Sequence, residues 1–116
     1  MLIVTLTFSI SNYFIINKRI DNIISIMEDD RKITIQTGKP DNSRTSKITE
    51  AWESNETYLV SMLTHHELAD FEISIMCLPD YIKQGLTEEY IKTLNECINR
   101  LYHIKETEKA DTKNIF

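Results

Sequence analysis

The segment Leu2-Ile3-Val4-Thr5-Leu6-Thr7-Phe8-Ser9-Ile10 decides how the rest of the chain is read. Leu2, Val4, Leu6, Phe8 and Ile10 recur at every second position, with Ile3, Thr5, Thr7 and Ser9 between them. Successive side chains of a strand point to opposite faces, so this alternation predicts a β-strand with one buried face. A strand needs a sheet, and further runs of the same period lie downstream.

Residues 31–37 alternate again, with Ile33 and Ile35 inward, and stop at the loop signal Gly38-Lys39-Pro40-Asp41-Asn42-Ser43. Residues 46–54, with Trp52, give a weaker strand. After a tight turn at Ser54-Asn55-Glu56, residues 57–64 set Tyr58, Val60 and Met62 against Leu59, Ser61 and Leu63, which suits the centre of a sheet. Phe71, Ile73, Ile75 and Cys77 form another run, ending at Pro79.

Two segments read as helices. Ile16, Ile20, Ile23, Ile24 and Met27 share one helical face, with Lys18, Arg19, Asp21, Asn22, Ser25 and Glu28 opposite. Thr87 caps a long last helix whose stripe is Tyr90, Ile91, Leu94, Cys97, Ile98, Leu101, Tyr102 and Ile104. Pro79 to Gln84 reads as a single helical turn closed by Gly85. The expected fold is therefore α+β. A mainly antiparallel sheet of about five strands, in the order β-α-β-β-β-β-α, carries two helices on one face, the C-terminal one long. Residues 1–116 are expected to make a single domain, with about 106–116 a frayed tail.

A chain of 116 residues can bury a core without disulfides or metal. Cys77 and Cys97 fall inside apolar stripes and read as buried free thiols. The apolar start has no basic region before it and no cleavage site, and is shorter than a bilayer span, so a cytoplasmic protein is expected. Abundant Ile, Asn and Lys are what an AT-rich bacterial or phage genome encodes.

Catalytic signatures are scarce. Two glycines in the whole chain exclude a phosphate-cradling loop. Neither cysteine has a histidine near it in sequence. His65-His66-Glu67 is the one local cluster of metal-ligand type, but adjacent strand residues face opposite ways, so it reads as a polar connection. A net charge of −5 and the lack of a basic stripe argue against nucleic acid.

What stands out is charge segregation. Between Ile48 and Ile82 there is no Lys or Arg, while Glu50, Glu53, Glu56, Glu67, Asp70, Glu72 and Asp80 all fall there. Like charges on one surface repel, and interspersed Lys normally relieves them. An unrelieved acidic field steers a basic partner, and Trp52 and Tyr58 supply aromatic anchors of the kind interfaces favour. The acids make one surface only if most of them point away from the helices.

In size, acidity, α+β layout and want of a catalytic motif, the chain resembles the immunity proteins of bacterial polymorphic-toxin and contact-dependent growth inhibition systems. The resemblance implies a protein-binding inhibitor that occludes a cognate toxin, frequently a basic nuclease, with acidic residues that mimic a phosphate backbone. On it, Glu50, Trp52, Glu53, Glu56, Tyr58, Glu67, Asp70 and Glu72 are the partner-binding residues. The protein is then no enzyme and uses no cofactor or metal. It binds a basic toxin domain rather than nucleic acid or membrane, as a monomer or weak homodimer. Two alternatives stand beside it: a small acidic secretion chaperone or adaptor, and a metal-dependent enzyme using His65, His66 and His103.

Overall fold

The structure, a computed structural model, describes residues 2–63 and 66–115. Those residues form four helices and no strand: α1 (Leu2–Thr37), α2 (Asn42–Met62), α3 (His66–Gln84) and α4 (Thr87–Ile115). The expected α+β sheet is therefore replaced by an all-helical bundle. The helices pack in a ring, α1 against α2 and α4, and α3 against α2 and α4, within a body of 55 × 22 × 20 Å. At about 1.5 Å per residue, the 36 residues of α1 span the whole long axis.

Each misread strand has a physical reason. Ile16, Ile20, Ile23, Ile24 and Met27 do form the buried helical face expected of them. Extending a nucleated helix adds one hydrogen bond per residue fixed, and neither Gly nor Pro interrupts α1 before Gly38. The helix therefore absorbs the alternating segments on both sides of its packed centre. In residues 31–37 the inward position belongs to a polar residue: Thr34 is buried, while Ile33 and Ile35 are exposed. An apolar period of two arose there by chance of composition. Gly38 then closes the helix in the left-handed conformation, at φ 73°, donating its N–H to the Thr34 carbonyl at 2.8 Å.

The strands expected over 46–54 and 57–64 are one helix. Asp41 caps it, accepting the Ser43 N–H at 2.7 Å. Its buried residues, Thr45, Ile48, Ala51, Trp52, Asn55 and Leu59, recur every three or four positions, with a neighbour at Ala51–Trp52. Asn55, read as a turn residue, is buried inside that helix. Its amide donates to the Ala51 carbonyl at 2.7 Å and its oxygen accepts from Arg19 at 2.9 Å, so both polar atoms of its side chain are partnered. Leu68, Phe71, Ile75 and Leu78 likewise give α3 a helical spacing. Pro79 does not end α3 but sits inside it, exposed, where it removes one backbone hydrogen bond. Gly85, at φ 72°, closes α3 as expected, and α4 starts at Thr87 and continues through Ile115.

The core runs between all four helices and includes Ile20, Ile48, Leu59, Phe71, Leu78, Tyr90, Leu94 and Leu101. Trp52 meets Phe71 edge to face, with ring centroids 5.1 Å apart. No described helix is long and apolar enough to cross a membrane.

Candidate functional site

The bundle treats its acids in two ways. Asp30, on α1, is 2% exposed, yet every approach to its carboxylate is a donor. Arg44 Nε donates to it at 2.9 Å from α2, the Tyr90 hydroxyl at 2.5 Å from α4, and the Thr34 hydroxyl at 3.2 Å. Burial, then the hydrogen bond to Asp30, pushes the Tyr90 hydroxyl well above its ordinary pKa, so it stays a donor at every physiological pH. Arg44 also donates to the Lys39 carbonyl at 2.8 Å, tying the α1–α2 loop to the same knot. An open groove beside it is lined by Ile26, Asp29, Lys32, Ile33, Gln36 and Lys47, along with Asp30 and Arg44. The Arg44 charge is already matched inside the bundle, so the knot is a structural clasp.

The other seams follow the same habit. Lys105 pairs with Asp21 across α1 and α4 at 2.5 Å, and Arg100 pairs with Asp70 across α3 and α4 at 3.2 Å. Arg31 donates to Asn95 at 3.0 Å, again between α1 and α4.

The α2–α3 seam departs from it. Here Glu56 of α2 meets Glu72 of α3, with Glu53 one turn away on α2. The carboxyl of Glu56 is held above its ordinary pKa by lost hydration first, then by the charge of Glu72, a hydrogen bond shared with it, and the charge of Glu53. Neither helix can relieve this repulsion between Ile48 and Ile82, where the sequence has no Lys or Arg. Beside these acids, Ile73 and Met76 of α3 are 60% and 68% exposed.

The eight residues expected to bind a partner thus divide. Glu53, Glu56 and Glu72 come together, and Glu50 is exposed on α2. Trp52 is buried in the core against Phe71 and offers no anchor to a partner. Tyr58 turns to α1, where its hydroxyl donates to Asn12 at 3.0 Å and its ring lies under the Arg19 guanidinium at 4.4 Å. Asp70 is engaged by Arg100. The side chain of Glu67 lies outside the described residues, as do His65 and the side chain of His66.

Sequence reasoning missed Ile73, Val60 and Met62 because the strand reading sent them into a sheet, and Met76 because it stood outside the apolar run named there. A helical template would have found them. Leu59 and Leu63, or Phe71 and Ile75, are the buried i, i+4 pairs, and the apolar residues between them face out.

Chemistry of other kinds finds little here. Among the described residues no three of His, Cys, Asp and Glu are grouped to hold a metal. Cys97 is buried, and its thiol is pushed up to about 12, mainly by burial, which keeps it protonated and unreactive.

A family model described as a domain of unknown function, DUF4363, matches residues 11–115. Neither the curated proteins nor the solved structures give a match to the chain.

Proposed function

The chain belongs to that family, and from this premise we propose that it is a protein-binding module whose α2–α3 hairpin receives a partner presenting basic and apolar side chains. The observation that carries the reading is the unrelieved seam of Glu53, Glu56 and Glu72 beside exposed Ile73 and Met76. A bundle that bridges its other seams with cations leaves this one for an outside cation to complete. Acids would steer the encounter and the apolar pair would supply contact area.

An inhibitor of a basic toxin is the narrower form of this reading. Of the supports for the likeness to immunity proteins, small size and acidity stand, while the α+β layout does not. The reading takes the protein to be cytoplasmic, which its unpaired thiols favour.

The test is a titration of isotopically labelled protein with a helical peptide alternating Lys and Leu, followed by amide chemical shifts. Perturbations should centre on Glu53, Glu56, Glu72, Ile73 and Met76 and weaken as salt is added. The double variant Glu53→Lys/Glu72→Lys should bind about tenfold more weakly, the loss of two close charge contacts. Unchanged affinity in that variant, or shifts centred on another seam, would remove the proposal.

A further inference from the structure

The first turns of α1 are built unlike the rest of the bundle. Arg31 meets Asn95 and Asp21 meets Lys105, so ten residues down one helix match ten up the other. That register brings Ile115, the end of α4, level with about residue 11 of α1. The contact of Tyr58 with Asn12 brings the end of α2 to about residue 8 by the same reckoning. Among the described residues α1 projects alone beyond that level, and its side chains there are Leu2 (74% exposed), Ile3 (78%) and Val4 (71%). Phe8, Ile10, Phe14 and Ile15 are also exposed lower on the same helix.

A second copy of the chain is a poor occupant for this projection. Two helices that pack together need one apolar stripe. Leu2, Ile3 and Val4 are consecutive and point about 100° apart, so no single stripe holds them. A helix apolar on most of its circumference fits a surrounding apolar medium instead.

Three further features fit a lipid medium. The Thr7 hydroxyl donates to the Ile3 carbonyl at 2.9 Å, so it needs no water. No charged side chain occurs before Lys18. At the foot of the projection stand Tyr13 and Phe14, edge to face at 5.7 Å, in a groove shared with Asn17, Lys105, Glu106 and Lys109. Aromatic rings followed by lysines are the order that a water–hydrocarbon boundary selects. Val60 and Met62, exposed in the last turn of α2, add apolar surface at the same end.

We propose that the start of α1 inserts into the hydrocarbon of a lipid bilayer, carrying the bundle on the membrane surface. Residues 2–13 are about 18 Å long, against a hydrocarbon core of about 30 Å, so this stretch is long enough to reach deep into the hydrocarbon. Apolar area supplies most of the attraction. The cations Lys18 and Lys109 are partly offset by Glu106, and Lys105 is paired with Asp21, so anionic headgroups strengthen binding only a few-fold.

The experiment is co-sedimentation of the full chain with vesicles of phosphatidylcholine, alone or in equal parts with phosphatidylglycerol. The chain should sediment with both, more with the second. Ile3→Ser/Val4→Ser/Phe8→Ser should lose binding at least tenfold while its helical circular dichroism and melting stay those of the parent, since these side chains lie outside the core. Lys18→Glu should lose only a few-fold, and only with the anionic vesicles. A Phe8→Trp variant should be quenched by lipids brominated in their acyl chains. A parent chain left in the supernatant, or a triple variant that sediments equally, would overturn the proposal. So would a dimer in sedimentation equilibrium that the triple variant disperses while the parent ignores vesicles.

Discussion

Asp30 and Glu56 are both acids at a helix–helix seam, and the protein handles them oppositely. Asp30 is taken out of water and given three donors, one of them a guanidinium. Glu56 stays near water and is given two more acids. The first arrangement fixes how α1, α2 and α4 meet. The second fixes nothing between α2 and α3, and it weakens their seam slightly. A buried charge without a partner is expensive, whereas exposed like charges cost little. The contrast teaches that the fully buried acid has to be paired, whereas an unpaired acid nearer the surface is tolerable and open to other uses.

The strongest way to break the comparison is to remove the partner of the buried acid. Arg44→Met leaves the Asp30 carboxylate without its cation and should cost about 3–5 kcal/mol, read as a fall in the urea midpoint. A change under 1 kcal/mol would mean that the clasp is ornamental. Next in size, Tyr90→Phe removes one donor to Asp30 and a partner of Thr45, at about 1–3 kcal/mol. Thermal unfolding of the two single variants and the double would show whether the knot acts as one unit.

Glu56→Gln works in the opposite direction. Its carboxyl is raised in the folded state, so its contribution to stability is present below the unfolded carboxyl range and is lost as pH rises through the folded value. Removing the charge should therefore stabilise the protein at neutral pH, by about 0.5 kcal/mol or less, and the gain should vanish in acid. Denaturation at pH 7 and at pH 3.5 checks both halves, and a gain that grew in acid would contradict the seam. Smallest of all, Lys105→Met removes a surface pair and should change stability by about 0.3 kcal/mol or less, the more so in high salt.

The sequence signalled α1's centre, the start of α4 and the glycine that ends α3. Helical spacing of Ile16, Ile20, Ile23, Ile24 and Met27 carried the first, a wide apolar stripe behind Glu88 and Glu89 the second, and a glycine suited to the left-handed conformation the third. It misled wherever polar residues took buried helical positions. Thr34, set outward by the strand reading, and Asn55, read as a turn, both face inward in a helix, as does Thr45. Ile33, Ile35, Ile73 and Met76 complete the error from the other side, being apolar and exposed. Scarcity of Gly and Pro was the overlooked clue, since five short strands need more turns than four glycines and prolines supply. Of the candidate site, the absence of Lys and Arg across 48–82 was legible because it is a matter of composition. Which acids share a seam was not, because that depends on helix phase: Glu56 and Glu72 meet, while Asp70 turns to α4.

The placement of Trp52 has a spectroscopic consequence. It is the chain's one indole, it touches Phe71 of α3, and its buried N–H has no acceptor among the described residues. Intrinsic fluorescence therefore reports on a single contact, the α2–α3 hairpin, and starts from a dry, blue-emitting state. Should that hairpin loosen before the α1–α4 pair, emission would redden while helical ellipticity held, and the two optical signals would separate the opening of one seam from the melting of the whole bundle.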